Sequence, residues 1–124
     1  MSETIKPDLF LPLTRMWFAR IWNGEKRTEY REVKPYWKER RNLESWVGDN
    51  RPRFIMFMIG YAKIGPRILA QTKGVDIGPC PYPGWRGNYY RIRFEIVQPY
   101  MFAEGTYYPM FEMPKMKEQK GGAA

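Results

Sequence analysis

The chain contains no histidine and a single cysteine, and these two absences exclude much familiar chemistry. Without histidine there is no Ser-His-Asp triad, no imidazole general base and no ordinary histidine-ligated zinc site. Cys80 alone cannot form a disulfide within the chain, so nothing points to an oxidising compartment. We expect Cys80 to be inert and the chain to bind no metal or cofactor. Any catalysis would depend on Lys, Glu, Asp, Thr, Tyr or bound water.

Long hydrophobic runs are also missing. No apolar stretch approaches the ~20 residues that cross a bilayer, and residues 1–8 lack the apolar core of a signal peptide. We therefore expect a cytoplasmic protein without a membrane partner. With 124 residues, of which 44% are hydrophobic, the chain has enough apolar material for one folded domain. We assign this domain to residues 9–114, between a flexible N-terminus at 1–8 and a disordered tail at 115–124.

Positive charge is present in excess, since 21 Lys and Arg residues against 13 Asp and Glu give a net charge of +8. Between residues 26 and 53, nine basic residues oppose five acidic ones, so this segment carries a net +4, half of the total. Such a balance favours the capture of polyanions such as nucleic acids. Charge alone is also typical of a basic protein that has no anionic partner.

Hydrophobic periodicity predicts a mostly-β, α+β chain, which fits a small β-barrel flanked by two short helices. The helices are predicted at about 15–22, between the N-cap candidate Thr14 and the stop signal Asn23-Gly24, and at about 35–46. The predicted strands are, in chain order, 10–13, 28–33, 53–61, 64–72, 89–97 and 107–111.

Three segments carry distinctive patterns. In the segment 89–97, apolar side chains alternate with mostly polar ones, which is typical of a half-buried strand. The buried face is predicted to contain Tyr90, Ile92, Phe94 and Ile96. The segment 53–61 is apolar on both faces, which is typical of a strand buried on both sides. The segment 78–85 contains three prolines, which remove hydrogen-bond donors and fix φ, so we predict a stiff loop there.

The segment 17–37 combines a helix, a glycine turn and a strand, with Lys26 in the turn. Strand alternation points Glu29 and Arg31 to one face, and Lys26 joins them if the turn folds back. An ammonium, a carboxylate and a guanidinium would then meet at one mouth of a barrel. Spacing alone also fits a solvated surface pair of Glu29 with Lys26 or Arg31, which contributes little stability.

Residues 24–31 read Gly-Glu-Lys-Arg-Thr-Glu-Tyr-Arg and resemble the Gly-x-Lys-x-x-Glu-x-Arg signature of ASCH domains. Residues 11–13 are similar to the first strand of that family. Residues 34–40 are similar to a bacterial and phage-associated branch of it. The local similarity covers residues 11–41, and the rest of the chain matches only in layout.

The resemblance implies a barrel of the pseudouridine-synthase-and-archaeosine-transglycosylase (PUA) type, with a cleft beside the first helix that takes RNA or a nucleobase. It implies that Lys26 meets a phosphate or a polar base edge. It also implies that Glu29 accepts hydrogen bonds from a base or orients Lys26, while Arg31 braces Glu29 or contacts phosphate.

Further basic and aromatic residues are candidates for the rim of this cleft. They are Arg20, Tyr36, Arg40, Arg41 and Trp85. Aromatic rings stack on unpaired bases, and arginines hold phosphates. We expect Arg40 and Arg41 to be exposed. Trp85 has the alternative role of a lid over the hydrophobic core. For the second helix, the alternative is that Trp37 packs inward with Arg41 lying over it at i,i+4 spacing.

The sequence thus predicts a protein that binds single-stranded or modified RNA, or a nucleotide. A first alternative is a hydrolase of the ASCH kind, with Lys26 and Glu29 as catalytic residues. This would be a ribonuclease or, with less support, an amidohydrolase acting on N4-acetylcytidine. The amidohydrolase relatives place a threonine nucleophile three residues after the signature lysine, where this chain has Glu29, and Thr28 points away.

A second alternative is a protein-interaction module. The aromatic residues between Tyr100 and Phe111 would then form one exposed apolar patch, serving a partner or a weak homodimer.

Overall fold

The computed structural model of the chain describes residues 6–117. The chain divides into two compact units. Of the described residues, the first comprises 6–26, 53–71 and 96–117, and the second comprises 27–52 and 72–95. Strand makes up 46% of the structure and helix 16%, so the predicted mostly-β, α+β class is confirmed. Within residues 6–117, no helix has both the length and the apolar character needed to cross a membrane.

The described chain contains six strands and three short helical elements. The strands are β1 (Leu9–Leu13), β2 (Thr28–Glu32), β3 (Phe54–Ile59), β4 (Gly65–Pro79), β5 (Asn88–Ala103) and β6 (Thr106–Pro109). The helical elements are α1 (Arg15–Trp22), a π-helical turn (Tyr36–Arg40) and a 3₁₀ turn (Leu43–Trp46). The hydrogen-bonded strand order is β1-β3-β4-β5-β2, and β6 pairs with β5.

The core of the first unit is built on β3. This strand runs parallel to β1 and antiparallel to β4, with Phe57 opposite Leu11 on one side and opposite Ile68 on the other. All three side chains are completely buried, as the apolar pattern of this segment predicts. The helix α1 packs on β1 and β3 and buries Phe18 and Ile21.

The ends of α1 follow the sequence closely. The helix begins after Thr14, whose carbonyl accepts the hydrogen bond of Phe18 N, and it ends at Asn23, before Gly24 with its φ of 85°. Glycine tolerates this left-handed conformation because it has no Cβ.

Residues 114–116 are attached to the C-terminal end of α1. Trp22 Nε1 donates to the carbonyl of Pro114 at 2.8 Å, and the side chain of Asn23 exchanges two hydrogen bonds with the backbone of Met116. The predicted tail therefore includes residues that contact the helix. The rest of this tail, 118–124, and the predicted flexible residues 1–5 lie outside the described residues.

The second unit contains β2 paired antiparallel with the first part of β5, with Glu29 opposite Ile92 and Arg31 opposite Tyr90. Along β5, Tyr90, Ile92 and Phe94 are buried, whereas the residues between them are more exposed. The predicted alternation of this strand is therefore confirmed.

The prediction of one continuous helix over residues 35–46 is wrong. Arg41 N donates to the carbonyl of Tyr36, which closes a π-helical turn, and Asn42 then takes a left-handed conformation with φ of 59°. A left-handed residue cannot continue a right-handed helix. The chain restarts as a separate 3₁₀ turn that buries Leu43 and Trp46.

β4 continues seven residues beyond the predicted end at residue 72, so the stiff loop begins only after Pro79. Gly74 and Gly78 interrupt the strand pattern in the sequence, which is why this part of β4 was not predicted. In the structure they make room for arginine side chains. A Cβ added at Gly78 would lie 2.5 Å from Cζ of Arg91, and one at Gly74 would lie 2.9 Å from Nη2 of Arg93. Glycine in a strand often marks such a close approach.

Candidate nucleic-acid interface

The carboxylate of Glu29 lies inside the second unit. Directly paired residues on neighbouring strands point to the same face, so Glu29 shares the face of buried Ile92. The residue is only 3% exposed. The alternative that Glu29 forms a pair on the solvated surface is therefore wrong. Glu29 does pair with Arg31, but the carboxylate is buried.

Arg31 holds this carboxylate from the same face of β2. Its Nε and Nη2 lie 2.8 and 2.6 Å from Oε2 of Glu29. The guanidinium carbon is 4.8 Å from the ring centroid of Trp37, a cation–π distance. Because the Arg31 side chain is only 18% exposed, the ion pair is largely removed from water. Glu29, Arg31 and Trp37 thus form one connected cluster, which we call the Glu29 cluster.

The π-helical turn presents a basic, aromatic surface. Tyr36 is 42% exposed, and its ring centroid lies 6.0 Å from the guanidinium carbon of Arg40 and 5.4 Å from that of Arg41. Arg41 Nε also donates to the Tyr36 hydroxyl at 3.1 Å. The ring of Trp37 meets that of Tyr36 edge to face at 4.8 Å, which connects the turn to the Glu29 cluster.

The predicted position of Arg41 over the ring of Trp37 is wrong. Arg41 lies over Tyr36 rather than over Trp37, because a π turn aligns residues five apart instead of four apart. The prediction that Arg40 and Arg41 are exposed is confirmed.

The guanidiniums of this turn are not neutralised by the described residues. Within residues 6–117, neither Arg40 nor Arg41 forms an ion pair with a carboxylate. Other basic side chains of the second unit do so. They are Arg31, Lys34, Arg51, Lys73, Arg91 and Arg93. Arg40 and Arg41 therefore place two positive charges beside Tyr36 that an external anion could contact.

Trp85 belongs to a different surface of the second unit. It packs against Tyr82 and Tyr89, and Tyr82 in turn meets Tyr30. Tyr30 alternates with Glu29 along β2, so this aromatic group lies on the opposite face of the strand. The structure consequently does not bring Trp85 together with the Glu29 cluster.

Asp76 is a residue that sequence reasoning missed. Its carboxylate accepts hydrogen bonds from Arg91 at 2.7 and 3.1 Å and from Arg93 at 3.1 Å. The hydrogen bond from Arg91, assisted by Arg93, holds the pKa of the Asp76 carboxyl below its usual range. Both arginines are therefore paired with this one carboxylate, and the two guanidiniums and the carboxylate together keep one net positive charge. Only the glycines on either side of Asp76 hint at the close approach.

Tyr90 is a second missed residue. Its hydroxyl lies 2.7 Å from Oε1 of Glu44, and the residue is completely buried. Burial raises the pKa of the Tyr90 phenol above its usual value, and the hydrogen bond to Glu44 adds to the shift.

This pKa shift gives an alkaline stability test. The unfolded chain releases the phenolic proton near pH 10, before the folded chain does, so the stabilisation is complete below pH 10 and is lost as the pH rises further. We expect the free energy of unfolding to fall by up to about 1.4 kcal/mol per pH unit above pH 10 because of this proton. Urea denaturation at several pH values should show a shallower decline in Tyr90→Phe. Tyr61→Phe, at an exposed position, is the control, and identical declines in Tyr90→Phe and the unaltered chain would contradict the expectation.

In the first unit, Lys26 is buried and only 7% exposed. Its Nζ lies 4.5 Å from the ring centroid of Trp17, and the guanidinium carbon of Arg20 lies 5.1 Å from the same ring. The turn after α1 folds back, since the carbonyl of Arg20 accepts from the backbone N–H groups of Glu25 and Lys26. The structure thus brings Arg20 and Lys26 together around Trp17, and the convergence of Lys26 with Glu29 stays a prediction.

The described residues contain no candidate metal site, and the chain matches no family model. Within the described residues, no group of three carboxylate or cysteine side chains could hold a metal ion. Comparison with protein-family models finds no match, and comparisons with curated proteins and solved structures find no significant match either. The ASCH resemblance therefore stays a prediction.

Proposed function

We propose that the chain binds single-stranded or modified RNA, or a nucleotide, through Tyr36, Arg40 and Arg41. One observation carries this proposal. The exposed Tyr36 ring is flanked by two guanidiniums that have no carboxylate partner among residues 6–117. A single strand offers unstacked bases to such a ring and phosphates to such guanidiniums.

The Glu29 cluster supports the proposal by holding the turn in place. Trp37 contacts Tyr36 on one side and the Arg31 guanidinium on the other, and Arg31 is fixed by the Glu29 carboxylate. A surface that is ordered before binding loses less conformational entropy when the ligand arrives. In this proposal Glu29 and Arg31 position the interface, while Tyr36, Arg40 and Arg41 contact the ligand.

The resemblance of residues 11–41 to ASCH domains supports the same class of ligand. It extends the proposal to a PUA-like barrel and to cytoplasmic RNA as the partner. The protein-interaction alternative keeps partial support, because Tyr108 and Phe111 are exposed, whereas Tyr100 is buried and packs on Tyr107.

The proposal predicts that Arg40→Ala/Arg41→Ala weakens RNA binding about tenfold or more near 0.1 M salt, because two phosphate contacts are lost. The slope of log K against log salt should become shallower by about 1.4, from about 0.7 for each phosphate contact on a single strand. Fluorescence anisotropy with a labelled single-stranded RNA oligonucleotide measures both quantities. The matched control is Arg51→Ala/Lys73→Ala, which removes the same charge from side chains that have carboxylate partners.

Tyr36→Ala tests the stacking part of the interface, and Tyr36→Phe, which keeps the ring, is its control. Stacking contributes about 1–3 kcal/mol per base, so only the alanine variant should lose affinity strongly. Equal losses of RNA affinity in Arg40→Ala/Arg41→Ala and in Arg51→Ala/Lys73→Ala would show that only the overall charge matters. That result would overturn the proposal. RNA cleavage that disappears in Lys26→Ala would replace it with the hydrolase alternative.

A further inference from the structure

The first unit contains a groove that the RNA-binding proposal does not use. Its volume is about 660 Å³, within the range of small-molecule sites. The side chains that line it include Phe10, Tyr61, Ile64, Arg67, Phe102 and Tyr107. The groove therefore combines four aromatic rings with one guanidinium.

Arg67 is the unusual member of this groove because it is charged and only 7% exposed. It pairs directly with Met58 across β3 and β4, so both side chains point to the same face, and both line the groove. Its Nη2 donates to the carbonyl of Ala62 at 2.7 Å, and its guanidinium carbon lies 4.1 Å from the ring centroid of Phe102. The rest of the described chain supplies no carboxylate to it.

A buried charge without a counter-charge is costly, and proteins normally pair it. A guanidinium carries five N–H donors, and Ala62 takes one of them. An anion in the groove would supply both the missing charge and further acceptors. Arg67 therefore points to an anionic ligand.

The charges of the groove set the charge of that anion. Arg67 and Lys63 are positive and Glu104 is negative, which leaves a net charge of +1. A monoanion matches this value, whereas a phosphate dianion would leave an uncompensated negative charge. A carboxylate also matches the planar, two-pronged geometry of a guanidinium.

We propose that this groove binds a small aromatic carboxylate. The carboxylate pairs with Arg67, and the flat ring of the ligand packs against the aromatic side chains that line the groove. Aromatic pairs gain free energy beyond the area that they bury, which favours a ring over an aliphatic chain. A purely structural Arg67 would instead serve only to fasten the turn at Ala62, and it would require no ligand charge.

Isothermal titration calorimetry on the unaltered chain separates these roles with 2-naphthoate and its neutral isostere 2-naphthamide. We expect a dissociation constant of about 1 mM or tighter for 2-naphthoate. The amide should bind about tenfold or more weakly, because it lacks the charge-assisted hydrogen bonds. Equal affinities, or no binding of either compound up to about 5 mM, would overturn the proposal.

A pair of variants tests whether the ligand binds in the groove and leaves Arg67 unchanged. Ile64 lines the groove and is 66% exposed, so Ile64→Glu and Ile64→Gln should both fold. At low salt the Glu variant should bind 2-naphthoate about fivefold or more weakly than the Gln variant, because like charges repel. Identical affinities would show that the anion binds elsewhere, which contradicts the proposal.

Two further titrations keep this site distinct from the RNA-binding surface. Arg40→Ala/Arg41→Ala should leave 2-naphthoate binding unchanged, and a loss there would place the ligand on the π-helical turn instead. Adenosine 5′-monophosphate should not displace 2-naphthoate, since its phosphate exceeds the charge of the groove. Displacement by this nucleotide would overturn the assignment to a monocarboxylate.

Discussion

Replacing Glu29 with alanine should lower the free energy of unfolding by about 3–5 kcal/mol. The Glu29 carboxylate is 3% exposed and lies 2.6 Å from Nη2 of Arg31, whose side chain is only 18% exposed. The alanine variant removes this carboxylate from a largely buried guanidinium, and that is the costly part of the change. A loss of this size is a large fraction of the 5–15 kcal/mol that stabilises a typical domain.

Urea denaturation of Glu29→Ala, Arg31→Ala and the double variant completes the test. Once Glu29 is absent, removing Arg31 should cost less than it does in the unaltered chain, because the ion pair between the two residues is already lost. Glu29→Met/Arg31→Met should recover most of the stability, since apolar side chains of similar volume often replace a buried ion pair without loss. A change below about 1 kcal/mol in Glu29→Ala would indicate the solvated pair that spacing alone allows.

The burial of Glu29 makes its alanine variant a poor test of ligand binding. The sequence alone predicts that alanine at Lys26 or Glu29 lowers RNA affinity while stability stays within about 1 kcal/mol. In the structure, alanine at Glu29 removes the support of the π-helical turn, so lost affinity would not separate binding from folding. Tyr36, Arg40 and Arg41 are exposed and give cleaner probes.

Phe57→Ala should destabilise the first unit by about 3–5 kcal/mol. Phe57 is completely buried, and it lies between Leu11 of β1 and Ile68 of β4, both also completely buried. Deleting its ring removes apolar contacts on the middle strand and leaves a cavity that neighbouring strands cannot fill without breaking their register.

Two variants calibrate this result under the same denaturation conditions. Phe57→Leu keeps most of the volume and should cost less than about 1.5 kcal/mol. Val97→Ala, at a 46% exposed position of the same unit, should stay within about 0.5 kcal/mol of the unaltered chain. A small loss in Phe57→Ala, similar to that of Val97→Ala, would contradict the central position of β3.

The elements that the sequence predicts well are those whose pattern is set by burial and local geometry. Thr14 and Gly24 limit α1, and the two-sided apolar run places β3. Glu29 and Arg31 share a face because side chains alternate along a strand, and this needs no knowledge of the partner strand. What alternation does not reveal is which face is buried. That depends on the pairing of β2 with β5.

The features that escaped prediction depend on contacts between distant residues or on a single backbone angle. Asn42 takes a left-handed conformation that divides the predicted second helix, and asparagine also occurs inside helices, so its identity alone does not reveal this. Asp76 binds Arg91 and Arg93 from another strand, while Arg67 is buried by turns that converge only in the folded unit. No local spacing encodes these contacts.

Strand β1 occupies one end of the hydrogen-bonded order and includes Pro12. The carbonyl of Leu13 accepts from Gly60 N just beyond β3, so the backbone of the preceding Pro12 turns to the side away from β3. Proline has no N–H to offer on that side. A second copy that tried to extend the sheet along β1 would meet a missing donor in the middle of the strand. The placement of this proline therefore discourages edge-to-edge assembly and the growth of ordered aggregates.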